Sequence, residues 1–214
     1  MSEEFPLQNL LPGRLRAGVI VYRGAAPRPG TSLRERIAAE TSALRAFGAG
    51  APEPGFDLSR RLYRSFGVDP TKHRPSSEAL WRRLRDRGDF PAVNPAVDLT
   101  NLLSLRYQVC YGLYDLDRLQ PPLAIDVGRE GEAYPGIRKD VLNMAGKIVV
   151  RDGRGAFGNP SADSLRASVS AASRDILQVL FFHPQDPRQQ EIVAASAAAF
   201  DEFFVTTERR SLIA

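Results

Sequence analysis

A G-x-G-x-x-G pattern in residues 151–160 (RDGRGAFGNP) separates two very different folds for this chain. The glycines of the pattern are Gly153, Gly155 and Gly158. A dinucleotide-binding turn of this spacing requires a helix to begin within the motif, because the helix N-terminus receives the pyrophosphate. The residues that follow, NPSADSLRASVS, favour a turn and show no apolar helical period. The pattern therefore predicts a hairpin rather than a nucleotide fold, and no cofactor is expected.

The order of the other elements favours an α+β fold class. Alternating β-branched and apolar residues predict strands at 14–22, 123–127, 147–151, 165–170 and 176–182. Capping residues and helical periodicity predict helices at 32–47, 57–66, 76–88 and 94–106, and a last helix that begins with Asp186 and Pro187. The segment 113–122 is predicted to be a turn-rich connection. Because strands and helices do not alternate as βαβ units, the sequence predicts an α+β domain.

Composition excludes several classes of protein. Hydrophobic residues make up 43% of the 214, which favours a packed core over disorder. The single cysteine, Cys110, excludes an internal disulfide, and with only His73 and His183 beside it no metal site is expected. The N-terminal residues lack an apolar signal core, and no apolar run approaches the roughly 20 residues of a membrane helix. We expect a cytoplasmic protein without a membrane partner.

The familiar catalytic motifs give no reaction for this sequence. Neither a G-x-S-x-G nucleophile turn nor a phosphate-binding G-x-x-x-x-G-K-[ST] loop occurs. A nucleophilic Cys110 requires a histidine partner, and neither histidine lies in a favourable sequence context for that role. Spacing alone therefore leaves binding features rather than a mechanism.

The positive charge of the chain is concentrated in one segment. The net charge is +4, but residues 60–87 alone carry +6, with nine Lys and Arg against three acidic residues. Such a local cluster is typical of proteins that contact a phosphate backbone. The alternative is a solvated, arginine-rich helix face without a partner. Charge alone does not separate these two interpretations.

A polar ridge is predicted on the helix that begins at Asn94. Asp98, Asn101 and Ser104 recur at three-residue spacing, which places them on one face of an otherwise apolar helix. Buried polar groups require partners and often mark functional sites. The pattern thus indicates a ridge that lines a cleft, and the alternative is a ridge that faces solvent or holds the following loop.

Several of these segments together resemble one known family. Residues 74–119, which run from RPSSEALW to GLYDLDRL, resemble the editing region of the bacterial phenylalanyl-tRNA synthetase beta subunit, its joined third and fourth domains. Residues 60–70 and 157–170 resemble free-standing relatives of that region. The resemblance implies a β-sandwich-like mixed sheet flanked by helices, acting in trans. It divides the chain into an extension (1–13), an editing-like domain (14–184) and a C-terminal helix packed on it (185–214).

The resemblance also implies an activity and a set of site residues. The family hydrolyses a wrong amino acid from the 3′ end of tRNA, so the implied partner is aminoacylated tRNA and not DNA. Asn101 matches the family's site asparagine, whereas Gly112 stands where the family has a site histidine. The catalytic residues implied are Asn101 and Asp163, which would orient the ester and a water molecule. The substrate pocket would be lined by Asp98, Ser104, Gly112, Asn159, Ser164, Arg166 and Ser168. Contacts to tRNA phosphates are expected from Lys72, Arg74, Arg82 and Arg83.

Two other functions stay open at this level. The missing histidine favours either a non-catalytic RNA-binding module or a protein that binds amino acids or related small molecules. The retained ridge and the basic segment favour the deacylase. Asn159 and Asp163 also have a structural interpretation, because asparagine and aspartate commonly form turns. The sequence does not name the amino acid, the tRNA or the oligomeric state.

Overall fold

The computed structural model describes residues 7–48, 56–137 and 140–214. Its helices are α1 (Leu33–Gly48), α2 (Asp57–Ser65), α3 (Ser76–Arg87), α4 (Pro95–Tyr107) and α5 (Gln189–Phe203). Its strands are β1 (Leu7–Asn9), β2 (Arg16–Arg23), β3 (Ala26–Pro27), β4 (Cys110–Asp115), β5 (Leu123–Val127), β6 (Ala133–Pro135), β7 (Val141–Asn143), β8 (Ile148–Asp152), β9 (Gly155–Gly158), β10 (Ile176–Phe182), β11 (Phe204–Val205) and β12 (Glu208–Ile213). No helix in the described ranges has the length and hydrophobicity to cross a membrane.

Two four-stranded sheets form the core of the molecule. One has the order β12-β2-β10-β4 and is antiparallel, and the other has the order β1-β5-β8-β9. Because side chains alternate along a strand, one face of β2 and β10 packs against the other sheet and the opposite face packs against the helices. Val19 and Val179 pack between the sheets with Val150, whereas Ile20 and Leu180 face the helices α4 and α5. This sandwich flanked by helices confirms the predicted α+β class.

Most helix ends that the local sequence predicts agree with the structure. The Asn94 side chain accepts a hydrogen bond from the Val97 backbone N–H at 3.1 Å, and Pro95 is the first residue of α4. Gly88 ends α3 in the left-handed conformation, with φ of 66°. The glycine pattern forms the predicted hairpin, because β8 and β9 pair antiparallel across it. These predictions depend on near neighbours in the chain, and they are confirmed.

Three local predictions are wrong. Residues 113–115 belong to β4 rather than to a turn, because β4 pairs with β10 along its length. The predicted strand 165–170 contains a 3-10 turn at Leu165–Ala167, and the exposed Leu165 packs on neither sheet. Helix α5 begins at Gln189, since Asp186 instead accepts a hydrogen bond from the Arg188 backbone within a preceding turn.

The two ends of the described chain extend the sheets. β1 pairs parallel with β5, so residues 7–9 of the predicted extension belong to the sandwich. Residues 185–214 contain more than the predicted helix, because β12 follows α5 and pairs with β2. Helix α5 covers the outer face of the same sheet through Ile192, Phe200 and their neighbours.

Candidate functional site

A small polar cavity lies between α3, α4, β4 and the segment that follows β9. Its volume is about 130 Å³. It is lined by Ser76, Leu80, Asn101, Ser104, Tyr111, Asn159, Pro160, Ser161, Ala162 and Asp163. We call this space the polar cavity. It brings together four residues that the sequence predicts for the site, namely Asn101, Ser104, Asn159 and Asp163.

The polar ridge of α4 divides into three different environments. Asn101 lines the cavity, and its side chain makes no hydrogen bond to any other residue in the described part of the chain. Ser104 is buried and donates to the Val109 carbonyl oxygen at 2.7 Å, which ties the end of α4 to the start of β4. Asp98 accepts from the Val93 backbone at 2.8 Å, and burial raises its pKa. Asp98 therefore stabilises the helix start and does not line the cavity.

Asp163 is the titratable group of the polar cavity. The Tyr114 hydroxyl donates to its Oδ1 at 2.8 Å. Burial raises the pKa of Asp163 to about 7, although hydrogen bonds from Tyr114 and from the Asn159 and Leu113 backbone lower it in part. Burial also raises the pKa of Tyr114 far above its usual range, so the phenol stays a donor at every physiological pH. The cavity thus contains a carboxyl group that changes charge near neutrality.

Tyr114 reaches Asp163 because two glycines leave room for its ring. A Cβ atom on Gly112 would lie 2.1 Å from the Tyr114 hydroxyl oxygen, and one on Gly158 would lie 2.2 Å from it. Both distances are far below van der Waals contact, and the tyrosine is fully buried against Phe157. The third glycine of the G-x-G-x-x-G pattern therefore accommodates an aromatic ring. Gly112 does not line the cavity, and a histidine there requires Tyr114 to move.

Tyr114 is the residue that the sequence analysis missed. It lies in residues 113–122, which the sequence predicts to be a turn, and a turn prediction does not specify the direction of a side chain. A strand prediction for residues 110–115 places Cys110, Gly112 and Tyr114 on one face, because side chains alternate along a strand. This alternation is the sequence feature that indicates the direction of the Tyr114 side chain.

The turn after β9 forms one wall of the cavity. Asn159 donates from Nδ2 to the Ile148 carbonyl at 2.6 Å and accepts from the Ser161 backbone at 2.8 Å. Both atoms of its amide thus hold the turn. The buried Ser76 hydroxyl, which also lines the cavity, has no hydrogen-bond partner among the described residues, and neither has the buried hydroxyl of Ser164. Ser164 does not line the polar cavity.

A larger cleft lies on the other side of the same turn, with a volume of about 430 Å³. Its apolar surface comes from Tyr63, Phe66, Val68, Leu142, Met144 and Ile148, and its basic residues are Lys72, His73, Arg74 and Lys147. We call it the basic cleft. Burial and the nearby Lys147 lower the pKa of His73, and burial lowers the pKa of Lys147. None of the described residues that line it carries a carboxylate, so the cleft favours an anion.

Several arginines of the basic segment are paired with carboxylates within the fold. The buried Glu78 accepts two hydrogen bonds from Arg60, at 2.9 and 2.7 Å, and one from Arg82 at 3.1 Å. Arg74 lies 3.6 Å from the same carboxylate. Arg83 is paired with Asp89. Of the four cations predicted to contact tRNA, Lys72 and Arg74 line the basic cleft, whereas Arg82 and Arg83 line neither cavity.

Two further predicted site residues lie away from the polar cavity. Arg166 binds Asp152 through two hydrogen bonds of 2.9 and 2.8 Å and lies over the ring of Phe157. It therefore stabilises the β8–β9 hairpin. Ser168 donates to the Leu165 carbonyl oxygen at 2.9 Å within the 3-10 turn. The structure does not bring either side chain to Asn101 and Asp163.

This sandwich, with its polar cavity beside a basic cleft, is a domain of the kind found in synthetase beta subunits. The chain belongs to the B3/4 domain family, whose model matches residues 58–200. It is 30% identical over 172 residues to the phenylalanine–tRNA ligase beta subunit of Synechococcus sp. (strain CC9605), with 69% of this chain and 21% of that protein covered. The chain thus spans about a fifth of the length of this relative. The resemblance stated from the sequence is confirmed.

A solved structure is also similar to this chain. It is an N-terminal fragment of the phenylalanyl-tRNA synthetase beta subunit from Pyrococcus horikoshii, with a TM-score of 0.42 and 11% identity. The match covers 56% of this chain and 47% of that fragment.

Proposed function

We propose that this protein is a trans-acting aminoacyl-tRNA deacylase, which hydrolyses the ester bond of mischarged tRNA. The observation that carries the proposal is the meeting of Asn101 and Asp163 in one cavity, although they lie on separate elements. Both residues were predicted as the catalytic pair. Membership of the B3/4 domain family supports the same conclusion.

Asp163 supplies the group that activates water. A carboxylate accepts about four hydrogen bonds, and the three from Tyr114, Asn159 and Leu113 leave capacity for a water molecule. Its pKa of about 7 suits a general base, because the ionised form is present and still basic at neutral pH. Asp163 takes a proton from the water as the water oxygen attacks the ester carbon. The same proton then passes to the departing ribose oxygen, which leaves a free amino acid and intact tRNA.

Asn101 orients the substrate rather than transferring a proton. Its unpaired amide has both a donor and an acceptor for the ester carbonyl or the α-amino group. An aminoacyl ester is already activated, so correct placement of ester and water contributes much of the rate. This chemistry does not require the histidine that Gly112 replaces.

The basic cleft supports a nucleic-acid partner. It shares Asn159, Pro160, Ser161 and Ala162 with the polar cavity, so an RNA end bound in the cleft lies beside the catalytic pair. Lys72 and Arg74 stand at the cleft for contact with phosphates. Binding through such contacts weakens as salt concentration rises, because condensed counterions are released from the RNA.

A panel of mischarged tRNAs tests the proposal. We expect the protein to accelerate release of the amino acid from at least one of them, and the Asn101→Ala variant to abolish this while unfolding at an unchanged temperature. Ser168→Ala is the matched control, because its hydroxyl contacts only the Leu165 carbonyl outside the cavity. If tRNA binds and no ester is hydrolysed, the protein is a non-catalytic RNA-binding module. If tRNA does not bind even at low salt, the small-molecule function is the correct one.

A further inference from the structure

We infer that the polar cavity accepts only the smallest aminoacyl groups, those of glycine and alanine. The inference rests on the proposed deacylase function and names the substrate class of the same site. It comes from the size of the cavity, the rigidity of its walls and the two unpartnered polar groups within it.

The volume of the cavity sets an upper limit on the side chain. A protein cavity of about 150 Å³ is filled by benzene, which has six non-hydrogen atoms. The polar cavity, at about 130 Å³, therefore holds five or six. The α-carbon, the α-nitrogen and the carbonyl carbon and oxygen account for four of these, and the attacking water is a fifth. At most one position remains for the side chain.

The walls of the cavity resist expansion. Tyr111 is buried, and its hydroxyl is bonded to the Ser196 hydroxyl at 2.8 Å. Ser104 is bonded to the Val109 carbonyl, and Asn159 is held through both atoms of its amide. Close-packed interiors do not yield by the volume of an aromatic ring without loss of contacts. Leu80 is an apolar wall residue, and its truncation enlarges the cavity without breaking a hydrogen bond of the described residues.

The unpartnered groups match a small polar substrate. The buried Ser76 hydroxyl and the Asn101 amide both lie at the cavity without a hydrogen-bond partner among the described residues. The α-ammonium group of a glycyl or alanyl ester satisfies acceptors of this kind, whereas a large apolar side chain in their place leaves them unpaired. Chemistry and size therefore select the same substrates.

Hydrolysis of a size series of aminoacyl-tRNAs tests the inference. We expect kcat/KM for glycyl and alanyl esters to exceed that for phenylalanyl and tyrosyl esters by at least roughly a hundredfold. Leu80→Ala should raise the hydrolysis of valyl and threonyl esters about tenfold or more while small esters are still cleaved. Leu165→Ala is the matched control, because Leu165 is exposed and lies outside both cavities.

A binding measurement separates this inference from the proposed function. The probes are adenosines with glycine or phenylalanine joined at the 3′ position by a non-hydrolysable amide, and complex formation is followed by chemical-shift changes of the protein. If no ester is hydrolysed but the glycyl probe binds more tightly, the deacylase proposal fails and the size selection stands. If phenylalanyl or tyrosyl esters are cleaved as fast as the small ones, the size selection is wrong and the deacylase stands. If neither probe is preferred and nothing is hydrolysed, both are wrong.

Discussion

The contact between Tyr114 and Asp163 gives the sharpest prediction, because the Tyr114 hydroxyl lowers the pKa of the carboxyl group that we propose as the general base. Tyr114→Phe removes only the donor of the 2.8 Å hydrogen bond and retains the ring between its two glycines. A hydrogen bond to a charged group contributes about 1.5–3 kcal/mol. Since about 1.4 kcal/mol corresponds to one pKa unit, the pKa of Asp163 should rise from about 7 by about one to two units.

The consequence for turnover is a shifted pH profile. At pH 7 the ionised fraction of Asp163 falls from about half to about a tenth or less, so kcat should fall about fivefold or more and recover at higher pH. The direct measurement is the pH titration of the Asp163 carboxyl carbon by ¹³C NMR in both proteins. The matched control is Tyr22→Phe, whose buried hydroxyl donates to the neutral side chain of Gln178. Equal titration midpoints for Asp163 in the wild type and in Tyr114→Phe would refute the reasoning.

Three other predictions concern Asp163, Gly112 and the basic cleft. Because the pKa of folded Asp163 lies above its ordinary value of 3.8, the free energy of unfolding should decrease from pH 4 to pH 7 by up to about 4 kcal/mol. In Asp163→Asn, the free energy of unfolding measured by urea titration should vary less with pH than in the wild type. An equal dependence on pH in the two proteins would contradict this prediction. Gly112→Ala should destabilise the fold by about 1–3 kcal/mol in thermal unfolding, because the added Cβ clashes with the Tyr114 hydroxyl. A stability equal to that of the wild type would contradict this clash. Lys147→Met should reduce the slope of log affinity for tRNA against log salt concentration by about one. Arg174→Met, outside the cleft, should leave this slope unchanged. Equal slopes for the two variants would show that the cleft does not bind RNA.

The sequence predicted those features of the fold that depend on neighbouring residues. The cap at Asn94, the end of α3 at Gly88 and the β8–β9 hairpin each follow from local conformational preferences. Helical spacing predicts that Asn101 lies on a polar ridge lining a cleft, and in the structure Asn101 lines a cavity. Asp163 was predicted within a polar turn, and the fold brings that turn to α4.

The features that the sequence did not predict depend on contacts between distant residues. The role of Tyr114 requires Gly112 on its own strand and Gly158 on another, and no local pattern links them. The pairing of Arg166 with Asp152 requires the hairpin to have formed. The availability of the arginines in the basic segment was overestimated, because three of them lie against the carboxylate of Glu78 in the folded protein.

One four-residue turn, Asn159–Ala162, serves as the partition between the polar cavity and the basic cleft. Under the proposed function this segment contacts both the bound anion and the acyl group, so it links anion binding to the choice of acyl group. Substitutions in the turn should therefore alter both properties together. Leu80 lines only the smaller compartment, and it offers a route to change selectivity while leaving the other compartment as it is.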